Sequence, residues 1–310
     1  MSWLKRLLGT DQARAAAATA PRVMLPSHGR SIVSIEELDF VGQRSASPNR
    51  RYTLLWHDRQ WFNGTATEGR YLLIDGDCVI AEGRMERPND GKVADDGTFI
   101  LNDWGASDAL AGNFFAFRRD GSLNLSRSFS ANLLNNGLSD DGRLAACQTA
   151  NAPGSRDSSI LTIFDLVAGD VIASWTAESG WASAYEFPEG RRIRMVRRDR
   201  PSLDYSLHGE FLDRRRWLED EVRRGTLYVI RKALAEGEAG TGLTADDLRA
   251  GVNAALADED DRFVADAWRL LGEVEESVDN FAAALDAYDR ALAVNPKIGV
   301  ANRAAALRRL

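Results

Sequence analysis

The sequence predicts a multidomain protein of the β plus α class, in which repeated β-sheets precede an α-helical repeat. Polar turns, each followed by a β-prone run, recur at intervals of 45 to 48 residues over the first two-thirds of the chain. Near Trp217 the spacing of apolar residues changes from strand-like to helical. We therefore expect an N-terminal helix or linker over residues 1–30, a β domain over residues 31–217 and an α-helical domain over residues 218–310.

The first residues of the chain combine apolar and basic side chains. If Met1–Gly9 forms a helix, Trp3, Leu4, Leu7 and Leu8 share one face. Such a helix is suited to docking on a membrane surface or on a partner. The alternative is a disordered terminus that continues into a linker, because so short a segment makes a weak anchor.

The recurring turns have a chemistry that reverses the chain. Asp and Asn side chains bond to nearby backbone N–H groups, and Gly takes a positive φ without strain. Later in each interval come an apolar strand, a glycine turn and a second strand. The recurring turns are centred on Asn49, Asp96, Asp141 and Glu189. The glycine turns of the later hairpins contain Gly76, Gly121, Gly169 and Gly209.

One unit of this repeat carries a family resemblance. From Leu138 to Val171 it has a serine, an acidic-glycine turn, a strand, and then a strand that ends in Asp165-Leu166 before a glycine turn. This order resembles the repeat of WD-like and related bacterial β-propellers, and looser versions extend over residues 31–218. The resemblance implies a propeller-like array of about four four-stranded blades. The Gly-His and Trp-Asp signatures of true WD repeats are missing.

About four units is the lower limit for a closed ring, so the sequence does not decide whether the sheets form a closed ring. Either strands from Ile32–Phe40 help to close the array, or the array is open and a partner completes it. A sandwich made from the same short strands is the alternative fold.

The helical part contains a second distinctive spacing, formed by Trp268, Leu271, Gly272, Ala284, Tyr288, Ala291 and Pro296. It resembles the tetratricopeptide repeat, whose two antiparallel helices need small residues where they cross, aromatic residues in the gaps and a closing proline. The resemblance covers residues 265–298. One departure is Glu275, which stands where an aromatic residue is expected.

The resemblance to tetratricopeptide repeats implies a groove that binds a partner protein. Basic and Asn side chains in such grooves often hold a carboxylate, and the candidates here are Arg269, Asn302 and Arg303. Glu273 stands where such clamps usually have Asn, which argues against a carboxylate clamp of the usual kind.

Composition and charge exclude several classes of protein. The formal net charge of −7 and the pI near 5.2 argue against a nucleic-acid binder, which needs a basic surface. The arginines between Arg191 and Arg200 form either a solvated strand face or a patch for an acidic protein partner. Cys78 and Cys147 lack a disulfide or metal-binding pattern. Because no long apolar run and no secretion signal occur, we expect a cytoplasmic protein.

The sequence predicts no metal site, cofactor or catalytic centre. His28, His57 and His208 are scattered without metal-binding spacing, and no nucleophile elbow or phosphate loop occurs. Most acidic residues of the β domain fall at turns, where a carboxylate bonds to the local backbone. Asp103 is the exception, because it follows a strongly apolar strand and precedes Trp104.

The sequence therefore favours a non-catalytic adaptor for protein–protein interaction, in which the β domain and the helical tail each bind a partner protein. Trp61, Trp104 and Trp181 are the candidate contacts of the β domain, because buried aromatic anchors supply most of the binding energy at interfaces. The alternative is a propeller-type hydrolase or lyase with an acidic site that binds calcium.

Overall fold

The computed structural model describes the chain from Ile32 onward, apart from three short gaps. The described residues are 32–62, 64–105, 110–257 and 261–310. The predicted N-terminal helix or linker, with Met1–Gly9 and His28, lies outside them. The chain divides into two compact units after Leu212. Trp217, where the sequence placed the domain boundary, lies inside the first helix of the second unit.

Antiparallel strands make up the first unit. The chain first forms β1 (Ile32–Ile35), β2 (Phe40–Ala46), β3 (Tyr52–His57), β4 (Gln60–Phe62), β5 (Thr65–Thr67), β6 (Gly69–Asp75) and β7 (Cys78–Met85). It continues with β8 (Pro88–Val93), β9 (Phe99–Asp103), β10 (Gly112–Phe117) and β11 (Leu123–Phe129). The remaining strands are β12 (Leu133–Leu138), β13 (Leu144–Thr149), β14 (Ile160–Asp165), β15 (Asp170–Thr176), β16 (Ala184–Glu186), β17 (Arg192–Val196) and β18 (Leu203–Ser206).

These strands form successive sheets that follow the order of the chain. The sheets are β1-β2-β3-β6-β7, β8-β9-β10-β11, β12-β13-β14-β15 and β16-β17-β18, and β4-β5 is a separate hairpin. Extensive contacts join β2 and β3 to β8, β8 and β9 to β12, and β12 to β16. Within the described residues, no contact of similar extent joins the first sheet to the fourth. Each sheet therefore packs on its neighbours in sequence.

Two of the four recurring turns close through the same hydrogen-bonding pattern. Ser139 Oγ donates to Asp141 Oδ1 at 2.7 Å and accepts from the backbone N–H of Leu144 at 2.9 Å. Ser47 Oγ donates in the same way to Asn49 Oδ1 at 2.7 Å. A serine followed two residues later by Asp or Asn thus closes the turn before a strand.

Hydrogen bonds also link the recurring turns of the first three sheets to one another. The backbone N–H of Asn49 donates to Asp95 Oδ1 at 2.8 Å, and the backbone N–H of Asp95 donates to the Asp140 carbonyl at 2.8 Å. The recurring turns of the first three sheets therefore lie together at one end of the array.

Apolar side chains fill the spaces between neighbouring sheets. The first and second sheets bury Tyr52, Leu54, Trp56, Tyr71, Leu73, Phe99, Leu101, Phe115 and Phe117 between them. The second and third sheets bury Ile100, Phe114, Phe129, Leu133, Ala145, Cys147 and Phe164. The third and fourth sheets bury Leu161, Ile163, Tyr185, Ile193, Met195 and Tyr205. Because central strands are covered on both faces, they are apolar at successive positions rather than at alternate ones.

The second unit is helical. Its helices are α1 (Arg214–Arg223), α2 (Leu227–Thr241), α3 (Ala245–Leu256), α4 (Val264–Glu276), α5 (Phe281–Val294) and α6 (Ala301–Leu307). Gly237 interrupts α2 with a φ of 73°. Thr244 caps α3 as the sequence predicts, because its hydroxyl accepts from the Asp247 N–H at 3.2 Å and its own N–H donates to the Asp247 carboxylate at 2.9 Å.

Helices α4 and α5 approach closely at a glycine. A Cβ atom on Gly272 would lie 2.3 Å from Cε1 of Tyr288, nearer than any side chain tolerates. The small residue and the aromatic residue that the sequence singled out are thus packed against each other.

Glu275 has a polar role in place of the aromatic packing that the repeat pattern predicted. Its buried carboxylate accepts from Arg249 Nε and, at 3.0 Å, from Arg249 Nη2 on α3. It also accepts from Asn280 Nδ2 at 2.8 Å. The Arg249 hydrogen bonds lower the pKa of Glu275, although burial acts in the opposite direction. This carboxylate therefore joins α3 to the turn between α4 and α5.

Glu275→Gln is expected to lower the free energy of unfolding of the helical unit by about 2 kcal/mol at neutral pH, because it removes the buried carboxylate that pairs with Arg249 and leaves Arg249 only the exposed Asp246. The folded pKa of Glu275 lies below its unfolded value of about 4.3, so this stabilisation is fully present above about pH 5. It is lost as the pH falls through the folded pKa. Denaturant unfolding followed by circular dichroism at several pH values measures both effects.

Asp286→Asn is the control, because Asp286 forms an exposed pair with Arg290 on α5. This change is expected to cost at most about 0.5 kcal/mol. Equal losses in the two variants, or a difference between Glu275→Gln and the unchanged protein that persists at low pH, would contradict the assignment.

Candidate functional site

The topology of the first unit brings the three predicted tryptophans to one end of the strands. Trp61 lies in the β4–β5 hairpin between β3 and β6, Trp104 directly follows β9, and Trp181 lies between β15 and β16. These connections lie at the end opposite the recurring turns of Asn49, Asp96, Asp141 and Glu189. The indoles are 71, 38 and 49 % exposed, and exposed Leu110 and Leu134 occupy the same end. We refer to Trp61, Trp104, Leu110, Leu134 and Trp181 as the tryptophan face.

A buried carboxylate holds the chain around Trp104. Asp103 accepts hydrogen bonds from the backbone N–H groups of Glu86, Arg87 and Gly105 at 3.0, 2.9 and 2.7 Å. Burial raises the pKa of Asp103, and the three N–H groups offset only part of this effect. The acidic residue that the sequence left unexplained thus fixes two loops of the tryptophan face.

The Trp104 ring is held on two sides. Its Nε1 donates to the Leu133 carbonyl on β12 at 3.0 Å. The Arg87 guanidinium lies 5.4 Å from the centre of the ring, in cation–π geometry. Arg87 in turn pairs with Asp58 at 3.2 Å. The ring therefore has a fixed orientation although it is exposed.

Trp181 is held in a similar way to the same sheet. Its Nε1 donates to the Thr149 carbonyl on β13 at 3.2 Å. Leu133 and Thr149 are direct cross-strand partners, so the two indoles are anchored to one residue pair. Neighbouring strands lie about 5 Å apart, which places both anchoring carbonyls close together.

Gln148 holds the loop that carries Trp181. This buried side chain donates from Nε2 to the Gly180 carbonyl at 3.2 Å. Its Oε1 accepts from the Ala182 N–H at 3.4 Å and from the Tyr185 hydroxyl. The residues on both sides of Trp181 are thereby tied to the third sheet.

Trp61 extends from the first sheet on its hairpin. Two ion pairs join the base of this hairpin to the loop before β8. Arg59 contacts Glu86 at 3.0 Å, and Asp58 contacts Arg87 at 3.2 Å. The support of Trp61 and the support of Trp104 therefore share the Glu86–Arg87 loop.

The helical unit contains a cavity of about 530 Å³ that includes two of the predicted binding residues. Its lining residues are Leu234, Arg269, Glu273, Glu276, Ser277, Tyr288, Gly299, Val300 and Arg303. Asn302, the third candidate, is exposed next to Arg303 and is not part of the lining.

The charged side chains of this cavity neutralise one another. Arg269 Nε donates to Glu273 at 2.8 Å, and Arg303 Nε donates to Glu276. The Tyr288 hydroxyl donates to the same Glu276 carboxylate at 2.7 Å. Burial raises the pKa of Tyr288, and Glu276 adds to this effect. Glu273 and Glu276 thus occupy the guanidinium groups of Arg269 and Arg303 that the carboxylate of a bound partner would need.

Within the described residues, no three His, Cys, Asp or Glu side chains are grouped so that they could hold a metal ion. None of the helices in that part of the chain is long and apolar enough to cross a membrane. His57 Nδ1 contacts the Asp58 carbonyl at 2.8 Å, at the base of the Trp61 hairpin.

No protein-family model and no curated protein matches the chain. Among solved structures, the chain is similar to the C-terminal WD40 domain of Sif2, with 10 % identity and a TM-score of 0.37 over 62 % of this chain and 50 % of that one. It is also similar to a chain of a mitotic checkpoint complex, with 12 % identity and a TM-score of 0.38 over 59 % of this chain and 60 % of that one.

A third similar structure is the β-propeller domain of Cps50 (Swd1) from Myceliophteria thermophila. The identity is 15 % and the TM-score is 0.36, over 57 % of this chain and 60 % of that one. The chain thus spans 50 to 60 % of the length of these three structures.

Asp103→Asn is expected to destabilise the β unit by about 2 kcal/mol and to loosen Trp104, because an amide nitrogen then faces a backbone N–H donor. Denaturant unfolding measures the first effect. Fluorine NMR of the chain labelled with fluorotryptophan measures the second, with the Trp104 signal assigned from Trp104→Phe.

Asp140→Asn is the matched control, since Asp140 is exposed at the opposite end of the strands. It should leave both the stability and the Trp104 signal unchanged. An unchanged Trp104 signal in Asp103→Asn would show that this carboxylate does not position the indole.

Proposed function

We propose that this chain is a non-catalytic scaffold that binds a partner protein through the tryptophan face of its β unit. The four sheets are then blades of a propeller-like array, and α4 with α5 forms a tetratricopeptide-like pair. The cavity around Arg269 and Arg303 is a second binding surface, on the helical unit. A cytoplasmic location agrees with Cys78 and Cys147, which form no disulfide bond.

The observation that carries this proposal is the anchoring of two exposed indoles. Most exposed side chains lose rotamer freedom when they enter an interface, which weakens binding. Trp104 and Trp181 have already lost that freedom, because each indole N–H bonds to a backbone carbonyl. Their rings stay exposed to solvent in a fixed orientation, which is the arrangement of a preformed interface anchor.

The neighbours of these indoles suit an interface as well. Tryptophan and arginine dominate the binding energy of protein interfaces. Arg87 lies over the Trp104 ring, and Arg59 precedes Trp61 by two positions at the base of its hairpin. Exposed apolar residues gathered at one end of a unit mark a contact surface more strongly than scattered ones.

Each of Trp61→Ala, Trp104→Ala and Trp181→Ala is expected to weaken binding of a partner by at least about thirtyfold, which corresponds to about 2 kcal/mol. The partner is captured from native extract with the full chain, identified by mass spectrometry and purified. Isothermal titration calorimetry then gives its dissociation constant with each variant.

Val167→Ala and Val171→Ala are the controls, because both side chains are exposed apolar residues away from the tryptophan face. These two variants should bind within about twofold of the unchanged chain. If the dissociation constant of the partner is the same with all three tryptophan variants as with the unchanged chain, the proposed surface is contradicted.

Arg303→Ala is expected to weaken binding of a partner at the helical cavity by about tenfold, because it removes a side chain that lines the cavity and leaves the Glu276 carboxylate there without its guanidinium partner. Arg309→Ala is the matched control, since Arg309 is exposed and outside the lining. Equal affinities of the two variants in the same calorimetric titration would exclude the cavity as a binding surface.

A further inference from the structure

Several arginines lie on loops at the end of the strands that carries Trp181, although the whole chain has a formal charge of −7. The structure divides the arginine run of residues 191–200 in two. Arg192 and Arg194 pair with Asp204 inside the fourth sheet, at 3.4 and 2.8 Å. The arginines from position 197 onward lie in the loop between β17 and β18, at the end that carries the tryptophan face.

Arg198 is attached beside Trp181 through the backbone. Its N–H donates to Ser183 Oγ at 3.1 Å, and the Ser183 N–H donates to the Val196 carbonyl at 2.7 Å. The Arg198 side chain is exposed. The exposed Arg198 guanidinium therefore extends from a backbone that is hydrogen-bonded to Ser183, two residues after Trp181.

Arg156 approaches Trp181 from another loop. The Thr149 hydroxyl donates to the Asp157 carbonyl, while the Thr149 carbonyl accepts the Trp181 indole N–H. This bond holds the loop after β13 close to the indole. The Arg156 side chain is 89 % exposed and lies 3.9 Å from the buried Asp157 carboxylate.

Asp157 does little to occupy the Arg156 guanidinium. Its Oδ2 accepts from the backbone N–H of Ser130 at 2.7 Å and from the Ser130 hydroxyl at 2.8 Å. The carboxylate thus serves the loop between β11 and β12, and the guanidinium remains in solvent. Arg156 and Arg198 present exposed cations on two loops that are both bonded to the Trp181 region.

The indole adds an apolar contact without a hydrogen-bond donor. Its Nε1–H is already used by Thr149, so only the ring remains available for a ligand. An apolar side chain satisfies the ring, and carboxylates satisfy guanidinium groups through charge-assisted hydrogen bonds.

We propose that the Trp181 region binds an extended acidic segment of a partner protein that carries one apolar anchor residue. This inference rests on the proposed function of the tryptophan face and names the chemistry of its partner. The apolar anchor packs on Trp181, and flanking Asp or Glu residues contact Arg156 and Arg198. Opposite charges at the rim of an interface mainly steer association and select the partner.

The test uses fluorescence polarisation with the full chain and three labelled peptides. One peptide has glutamates around a central Leu-Phe pair, the second has serines in their place, and the third has lysines. A labelled single-stranded oligonucleotide of similar length is the fourth probe. The acidic peptide is expected to bind tightest, and its affinity is expected to fall with added salt.

Arg156→Glu combined with Arg198→Glu is expected to weaken binding of the acidic peptide about tenfold or more. Trp181→Ala should weaken it as well. Arg50→Glu combined with Arg143→Glu is the matched control, because it changes the net charge equally at exposed arginines of the opposite end. This control should bind like the unchanged chain.

The inference is overturned if the acidic peptide binds no better than the serine peptide, if both double variants bind it equally, or if the oligonucleotide binds tighter. These failures are distinct from failure of the proposed function. If Trp181→Ala still weakens binding of the captured partner while Arg156→Glu with Arg198→Glu does not, the tryptophan face remains a binding surface and its preference for acidic segments is disproved. If neither variant affects that partner, Trp181 is not part of the surface that binds it, and the proposed function fails at this residue.

Discussion

Burial of aromatic and aliphatic side chains between successive sheets is the interaction on which the rest of the β unit depends. Phe114 and Phe164 show it most directly, stacking across the second and third sheets at 4.4 Å. Once the sheets are stacked, hydrogen bonds complete both ends. Asn49 and Asp95 link turns at one end, while Trp104 bonds from the loop after β9 to the third sheet at the other.

The repeat could be predicted because its signals are local. The turns of Ser47-x-Asn49 and Ser139-x-Asp141 close through bonds between residues two to five positions apart, so both leave the same pattern in the sequence. The roles of Asp103 and Glu275 could not be predicted, because their partners lie far away along the chain or are backbone groups. Arg249 is separated from Glu275 by 26 positions, and no pattern of residue types marks that pair.

In the candidate site, too, some features could be predicted from the sequence and others could not. The sequence singled out Trp61, Trp104 and Trp181 one by one as candidate interface residues. Only the strand topology shows that all three lie at one end of the β unit. The supporting residue Gln148 left no signal, since a glutamine within an apolar strand has no distinctive spacing. In the helical unit, Arg269 and Arg303 line one cavity, whereas the glutamates that neutralise them follow from the fold alone.

The stacking of each sheet only on its neighbours in sequence has a mechanical consequence. A closed ring shares any load among all its interfaces, because removing one sheet requires breaking two. Within the described residues of this β unit the first and fourth sheets lack an extensive contact with each other, so each has one such interface to lose. Under tension applied to its ends, the unit would yield from the outer sheets inward, in separate steps rather than in one rupture.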